Sequence, residues 1–402
     1  MIAALTRIFG VHNLSLAEDV VQDAFCRALE VWKVRGVPDN PSAWLMATAK
    51  HRALDVIRRE RTATTFAPEL SRLFESEWTL APAIDEAFGA EIIRDEQLRM
   101  MFSCCDPRLK QEVQIALVLN ILCGFGAQEI AGAFLAGRAA VEKRIARGKQ
   151  SLAASRRLFD LTDDDVAARL PSVQRALYLL FNEGYHSVSA DTVVRADLCR
   201  EAIRLTELLA ADPRTGTPAT CALAALLSLH AARLPARLTG AGELSALVDQ
   251  DRSTWDGALI AHGLALLEQS ARGSDVSVYH LEAAIAAAHA QAPSVDGTAW
   301  DTVVELYDRL MALAPSPVVA LNRAIAIAQR DGGAAGIAAL EAISGADRLA
   351  AYPFYRAAFA ELELRRGRRD EARAHFEAAL HIARTAAERR FFERRLEHCG
   401  PK

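Results

Sequence analysis

Apolar residues recur at helical spacing along most of this chain, so the first elements it predicts are helices. In the segment 15–32 the apolar positions lie near one face and the acidic and amide positions on the other; the apolar ones are Val20, Phe25, Leu29 and Trp32. A shorter apolar segment precedes it at 1–9. A turn rich in Pro and Gly follows at 36–41, and a third helical pattern occupies 41–62, with separate apolar and basic faces. The pattern therefore predicts three N-terminal helices.

Residues 63–93 interrupt this periodicity. They contain Pro68 and Pro82, and most of their charges are acidic. This composition predicts an acidic linker. Helical periodicity resumes near Asp95.

Two closely spaced helices are predicted within residues 127–150. In the second helix Val141 and Ile145 face back toward the first, while five basic residues face outward: Arg138, Lys143, Arg144, Arg147 and Lys149. This layout is typical of a helix-turn-helix, whose second helix enters the DNA major groove. The alternative is a solvated basic helix in an ordinary bundle, because such patterns also occur by chance.

The pattern of the second half of the chain predicts stacked helices. Polar interruptions are predicted near 180–191 and 248–255. Tyr307 and Phe376 begin similar segments 69 residues apart, about two periods of a 34-residue repeat. The last unit has tetratricopeptide-like spacing at Ala360, Gly367, Ala372, Phe376 and Ala379. An irregular Ala-rich bundle is the alternative.

Composition agrees with a helical protein of two or three domains. The chain has 402 residues, of which 51% are hydrophobic but only 6% aromatic, and it is rich in Ala and Leu. Its seven cysteines form no Cys-x-x-Cys pair, which predicts a reducing, cytoplasmic location and no metal or other cofactor. No apolar run is long enough to predict a membrane span.

The net charge indicates a region that could bind nucleic acid only when the two parts of the chain are counted separately. Residues 1–160 have 21 Lys and Arg against 20 Asp and Glu, whereas the remainder has 26 against 31. A near-neutral chain can still carry basic patches that contact phosphates. Two such patches are predicted, at 50–61 and 138–157.

The segment 17–59 resembles region 2 of bacterial RNA polymerase sigma factors of the extracytoplasmic-function group. It matches an Ala-Glu-Asp-x-x-Gln-x-x-Phe motif and the Trp- and Arg-containing helix after the Pro turn. The resemblance implies docking on core RNA polymerase through Ala17, Glu18, Asp19, Gln22 and Phe25. It also implies contacts with the −10 element of promoter DNA through Lys50, Arg52, Asp55, Arg58 and Arg59. Trp44 falls on the same pattern, but we expect it to belong to the core.

Residues 94–152 resemble region 4 of the same family, which reads the −35 element. The resemblance implies that the five basic residues named above, from Arg138 to Lys149, contact DNA. In the turn, Leu135 stands where a glycine is usual, and Gly137 comes two residues later.

Several further motifs resemble the subgroup with a fused tetratricopeptide-like extension. They begin at Arg99, Ala176, Asp249, Leu281 and Pro315. Two departures are visible. Asp106 follows two cysteines where members have histidine, which weakens any metal interpretation. The first helix also starts late, so either Met1 is not the natural start or the chain binds polymerase less well.

We therefore predict an all-α fold: a sigma region 2 domain (1–62), an acidic linker (63–93), a helix-turn-helix region 4 domain (94–157), a helical extension (158–298) and tetratricopeptide-like repeats (299–402). The predicted function is that of a sigma factor, with core RNA polymerase and promoter DNA as partners and a regulatory protein or peptide on the repeats.

Catalysis is not predicted. His186 lies close to Asn182 and Glu183 in sequence, but no nucleophile, phosphate loop or metal-spaced cluster accompanies them. Two other functions stay open. One is a helix-turn-helix regulator that uses the repeats as a sensor, and the other is a scaffold that has lost DNA binding.

Overall fold

The computed structural model describes residues 1–9, 14–60, 90–133, 137–154, 161–185, 194–238 and 244–400. Within these ranges every regular element is a helix, apart from one isolated antiparallel bridge between Leu238 and Leu244. The predicted all-α fold is confirmed. The chain divides into two compact units, Met1–Ala176 and Leu177–Lys402.

The first unit contains the predicted N-terminal helices and the basic helix pair. Its elements are α1 (Ile2–Phe9), α2 (Leu14–Arg35), α3 (Pro41–Glu60), α4 (Ala90–Cys104), α5 (Gln111–Leu117), α6 (Ala127–Ala133), α7 (Arg138–Ala153) and the beginning of α8 (Asp163–Tyr185). A π-helical turn, Val118–Leu122, continues α5. Most of the predicted acidic linker, residues 63–89, lies outside the described residues. Its last residues, 90–93, are helical because α4 starts earlier than predicted.

The buried face of α2 differs from the predicted one. Small residues supply it, with Ala17, Val20, Ala24 and Ala28 at most 2% exposed, while Phe25 and Leu29 are 49% and 65% exposed. The alanines let α1 and α3 pack closely, and the shared core also contains Leu5, Phe9, Ala49, Ala53 and Leu54. The predicted separation of Phe25 and Leu29 from the acidic and amide face is therefore wrong, because close helix packing buries the alanine stripe instead.

Helix α7 packs through the residues predicted to face inward. Val141 is fully buried and Ile145 is 8% exposed. Gly148 lies against α5, where an added Cβ would stand 2.8 Å from a side-chain carbon of Leu117. The helix also contacts α6 and α4. The turn between α6 and α7 includes residues 134–136, so the predicted irregularity at Leu135 lies outside the described residues.

The N-terminal helices and the basic helix pair belong to one compact unit. Helix α1 packs against α4 and against the π-helical turn after α5.

Thr162 caps the start of α8: its hydroxyl accepts from the Asp165 backbone N–H, and the Asp165 carboxylate accepts from the Thr162 N–H, both at 3.2 Å. This is the capping box that the spacing of the two residues encodes.

The second unit contains the rest of the described helices. They are α9 (Ala196–Ala211), α10 (Pro218–Ala231), α11 (Leu234–Arg237), α12 (Gly257–Ser270), α13 (Val278–Gln291), α14 (Trp300–Leu313), α15 (Pro317–Asp331), α16 (Gly333–Glu341), α17 (Pro353–Arg365), α18 (Arg369–His381) and α19 (Ala386–Glu397). Short 3₁₀ turns occur at Leu247–Asp249, Arg252–Thr254 and Ala346–Leu349. The first two coincide with the predicted interruption at 248–255.

Helix α10 lies at the centre of the second unit. Ten of its fourteen residues are buried, and it contacts α9, α12 and α13. Gly263 permits a close approach of α12 to α10, since a Cβ there would stand 2.8 Å from Leu229 Cγ. A helix that is apolar all round belongs inside a protein, which is where α10 lies.

The last predicted repeat unit forms the helix pair α17–α18. Ala360, Ala372, Phe376 and Ala379 are fully buried in one cluster, and Gly367 has a φ of +77° in the turn between the two helices. The small residues permit close packing and the aromatic ring fills the core. The tetratricopeptide assignment itself, like the five-part division of the chain, stays a prediction.

Candidate functional site

The exposed face of α2 carries most of the residues predicted to dock on polymerase. Glu18, Gln22, Phe25 and Leu29 follow helical spacing of four, three and four residues, so they share one face, and Asp19 is exposed beside them. Ala17 is fully buried in the core of the three N-terminal helices, so its side chain contributes packing. The face thus combines charged and amide groups with two exposed apolar side chains.

Leu29 is the residue of this face that sequence reasoning missed. The predicted docking set stops at Phe25, although the position of Leu29 four residues later was the available signal. Isolated exposed leucines are common on protein surfaces. Two large apolar side chains adjoining on one helix face more often mark a contact surface.

Glu18 is joined to the second predicted contact surface. Its Oε1 lies 2.5 Å from Nζ of Lys149 on α7, and both side chains are 27% exposed. The structure thus brings together a residue predicted to bind polymerase and a residue predicted to bind the −35 element. Each partly neutralises the other.

Helix α3 carries the residues predicted to contact the −10 element. Lys50 and Arg52 are half-buried and Asp55 is exposed. Nε of Arg52 donates to Oδ2 of Asp23 on α2 at 2.8 Å, which holds the guanidinium near the docking helix. The side chains of Arg58 and Arg59 lie outside the described residues.

Trp44 packs where α3 meets α2. Its ring meets that of Trp32 edge to face, with centroids 5.5 Å apart. Both rings are half-buried. The assignment of Trp44 to the core stays a prediction.

The outward side of α7 is basic, as predicted. Lys143 and Arg147 are exposed and have no ion pair among the described residues. Arg138 pairs with Glu142 at 2.7 Å, and Arg144 pairs with Glu112 on α5 at 3.2 Å. Exposed pairs of this kind are weak, so both guanidiniums can exchange a carboxylate for a phosphate at small cost.

The Cys-Cys-Asp motif at the end of α4 is structural. Cys104 and Cys105 are buried, and burial raises the pKa of both thiols, that of Cys105 to about 12. Asp106 accepts hydrogen bonds from Nε and Nη2 of Arg108 at 3.0 and 2.7 Å, and these bonds lower its pKa. The described part of the chain holds no group of three or more potential metal ligands.

The polar motif around Asp251 also holds local structure together. Its carboxylate accepts from the Ser253 N–H at 2.9 Å and caps the 3₁₀ turn. Nη1 of Arg252 donates to the carbonyl oxygens of His289 and Ala292 at the end of α13, at 2.8 and 3.0 Å. His186, the predicted candidate base, lies outside the described residues.

Comparison with known families identifies the class of the N-terminal helices. Residues 2–63 match the family Sigma-70 region 2. This match supports a sigma-factor-like role in promoter recognition, with core RNA polymerase and promoter DNA as the implied partners. Proteins with this region are non-catalytic specificity factors of the polymerase, which agrees indirectly with the prediction of no enzymatic activity.

Residues 169–271 match a second family, described as a family of unknown function, DUF6596. Over 398 residues the chain is 39% identical to the protein named Uncharacterized protein R00370 of Rhizobium meliloti (strain 1021), covering 98% of this chain and 92% of the relative. The chain belongs to the same family as that protein. No protein of solved structure matches it. None of the described helices is long and apolar enough to cross a membrane.

Proposed function

We propose that the chain is a sigma factor of the extracytoplasmic-function group, which binds core RNA polymerase and directs it to promoters. The observation that carries the proposal is the exposed face of α2 within the segment that matches sigma-70 region 2. That face presents Phe25 and Leu29 to solvent beside acidic and amide groups. A regulator that only binds DNA has no need of such a face.

The DNA contacts come from two helices. Helix α3 meets the −10 element, and α6 with α7 forms the helix-turn-helix of region 4 at the −35 element. The burial of Val141 and Ile145 supports this assignment, since it directs Lys143 and Arg147 outward. Core polymerase holds the two contacts at promoter spacing, so modest individual affinities are multiplied.

The tetratricopeptide-like part of the extension binds a regulatory protein or peptide. Its support is the close packing of the pair α17–α18 and a cleft of 530 Å³ between α14, α15 and α16. Asp308, Arg323 and Arg348 line the cleft together with apolar side chains. Stacked helix pairs commonly present such concave surfaces to protein segments.

The test of polymerase docking is the binding of core enzyme by a Phe25→Ser variant. Truncating a large apolar contact should weaken binding about 10- to 100-fold, because burying a Phe side chain is worth about 1.5–3 kcal/mol. Val34→Ser on the same helix is the matched control, since Val34 is 86% exposed and lies outside the motif. Equal binding by both variants would argue against docking through this face.

The DNA arm of the test is run-off transcription with core polymerase on the promoter upstream of the protein's own operon. Arg147→Glu should reduce initiation about tenfold and make it less salt-dependent, because a phosphate contact is lost. Arg272→Glu, at another exposed site, has the same change of charge and should leave initiation intact. DNA binding without core-dependent initiation would favour the regulator with a repeat sensor instead.

A further inference from the structure

Two arginines of the second unit stack against one buried tryptophan. Arg233 precedes the one-turn helix α11, and Arg252 starts the 3₁₀ turn that ends before Trp255. Their guanidinium carbons lie 5.4 and 5.2 Å from the Trp255 ring centroid. A third guanidinium, that of Arg237, lies 4.3 Å from the ring centroid of Tyr185. All of these residues fall within the segment 169–271 that matches the family of unknown function.

Two of the three guanidiniums are held by helix ends. Arg252 donates to the end of α13, as described above, and its Nη2 lies 3.3 Å from Oγ1 of Thr298. Nη2 of Arg237 donates to the carbonyl oxygen of Tyr185, the last residue of α8, at 3.0 Å. These contacts orient the side chains, but carbonyl and hydroxyl oxygens do not cancel the full positive charge of Arg252.

Arg233 lacks even such an acceptor. Its Nε is buried without a hydrogen-bond partner, and no carboxylate of the described residues pairs with Arg233 or Arg252. Stacking on Trp255 orients the guanidinium and contributes a weak attraction. A half-buried charge without a counter-ion is otherwise costly, and proteins seldom keep one without a role for it.

The electrostatics of the neighbouring groups agree with an excess of positive charge. Burial, and then the neighbouring Arg237, lower the pKa of Arg233, and burial and Arg233 lower that of Arg252. His289 faces the same arginines, and burial together with Arg233 and Arg252 lowers its pKa to about 4. His289 is therefore neutral at neutral pH and adds no charge. Tyr307 also faces Arg233, and burial raises its pKa, so it stays a neutral phenol.

We propose that Arg233, Arg252 and Trp255 form a binding site for a small ligand that carries an oxyanion, a carboxylate or a phosphate. Guanidinium groups suit this chemistry because their N–H donors form a planar fork that matches two oxygens. Both arginines are half-buried, so solvent reaches the site while its surroundings strengthen the attraction. The site extends beyond the proposed function and does not depend on it.

The test is the thermal unfolding of the full chain in chloride, phosphate and citrate buffers of equal ionic strength, followed by calorimetric titration with the anion that stabilises. Binding should raise the unfolding temperature by about 2–5 °C at ten times the dissociation constant, and the effect should saturate. A response to phosphate alone identifies a phosphate ligand, and a response to citrate alone identifies a carboxylate ligand. Each of these results supports the site.

Arg233→Gln should abolish the response, and Arg309→Gln should keep it, because Arg309 is exposed on α14 and pairs with the neighbouring Glu305. In chloride the Arg233→Gln variant should unfold at the same temperature as the parent or higher, since it removes an unpaired charge. The Arg233→Lys variant retains the positive charge but lacks the planar pair of N–H donors, so its unfolding temperature should respond more weakly to the anion. It also serves as the second variant if the glutamine variant does not fold.

Two results would overturn the proposal. The first is the absence of any saturable response in the parent chain, or an equal response in Arg233→Gln. The second is a counter-ion from the chain itself. Asp191 and Glu243 are acidic residues outside the described part of the chain, six positions after Tyr185 and Arg237 respectively. If Asp191→Asn or Glu243→Gln lowers the unfolding temperature, and Arg233→Gln removes that loss, then a carboxylate of the chain already occupies the arginines.

Discussion

The contact between Glu18 and Lys149 links two surfaces that serve different partners in the proposed function. Glu18 belongs to the docking face of α2, and Lys149 belongs to the DNA-contacting side of α7. Binding either partner through these residues requires that the ion pair opens. In the isolated chain one residue of each surface is therefore engaged in this ion pair. When polymerase binds, it must provide a cation that replaces Lys149 as the partner of Glu18.

A double-mutant cycle of Glu18→Gln and Lys149→Gln measures this pair. We expect a coupling free energy of about 0.5–1 kcal/mol, because each side chain keeps about a quarter of its surface in water and solvent screens the attraction. Urea unfolding at neutral pH supplies the four free energies of unfolding. A coupling indistinguishable from zero would mean that the pair does not hold the two helices together in solution.

At the scale of single elements, small residues decide how closely helices approach. Gly184 lies in the last turn of α8, where an added Cβ would stand 2.8 Å from the carbonyl oxygen of Arg195 and 2.9 Å from the amide nitrogen of Cys199. Backbone atoms at the start of α9 cannot move aside as a side chain can. The glycine therefore sets the contact between α8 and α9.

Gly184→Ala should lower the free energy of unfolding by about 1–3 kcal/mol, since overpacking outweighs the gain of up to about 1 kcal/mol in helix propensity. Gly257→Ala is the control, because a Cβ there meets no atom within 4 Å. The control should change stability by less than about 0.5 kcal/mol. Chemical denaturation of both variants checks the prediction. Equal free energies of unfolding for the two variants would show that α9 shifts to accommodate the added methyl group.

At the scale of the whole molecule, the question is what the second unit adds to transcription. The proposed function assigns it a regulatory role through its tetratricopeptide-like repeats. We expect a chain that ends at residue 176, the limit of the first compact unit, to bind core polymerase but to initiate at least about fivefold less in run-off transcription. Circular dichroism checks that this shorter chain remains helical.

Phe376→Ala in the full chain is the second variant for this prediction. Phe376 is fully buried in the last helix cluster, and its truncation should cost about 3–5 kcal/mol within that cluster. Arg309→Gln on the exposed side of α14 is the control. Full transcription by both the shorter chain and Phe376→Ala would contradict a role of the extension in initiation.

Local patterns were sufficient for the helical class, for the capping box at Thr162 and for the inward positions of α7. Periodicity and capping act over one or two turns, so a single sequence contains them. The docking motif on α2 was also visible in the sequence. The direction of its side chains was not, because the alanines and the larger apolar residues of α2 compete for the buried side, and only packing against α1 and α3 decides between them.

The sequence by itself determined the helices, their order and the residues that resemble a sigma factor. Only the tertiary structure brought Glu18 to Lys149, across 131 positions of the chain, and placed the guanidiniums of Arg233 and Arg252 within 5.4 Å of the Trp255 ring centroid. Such contacts depend on how helices pack at long separation in sequence. No local spacing encodes them, because the same amphipathic helix can present its polar face to many different neighbours.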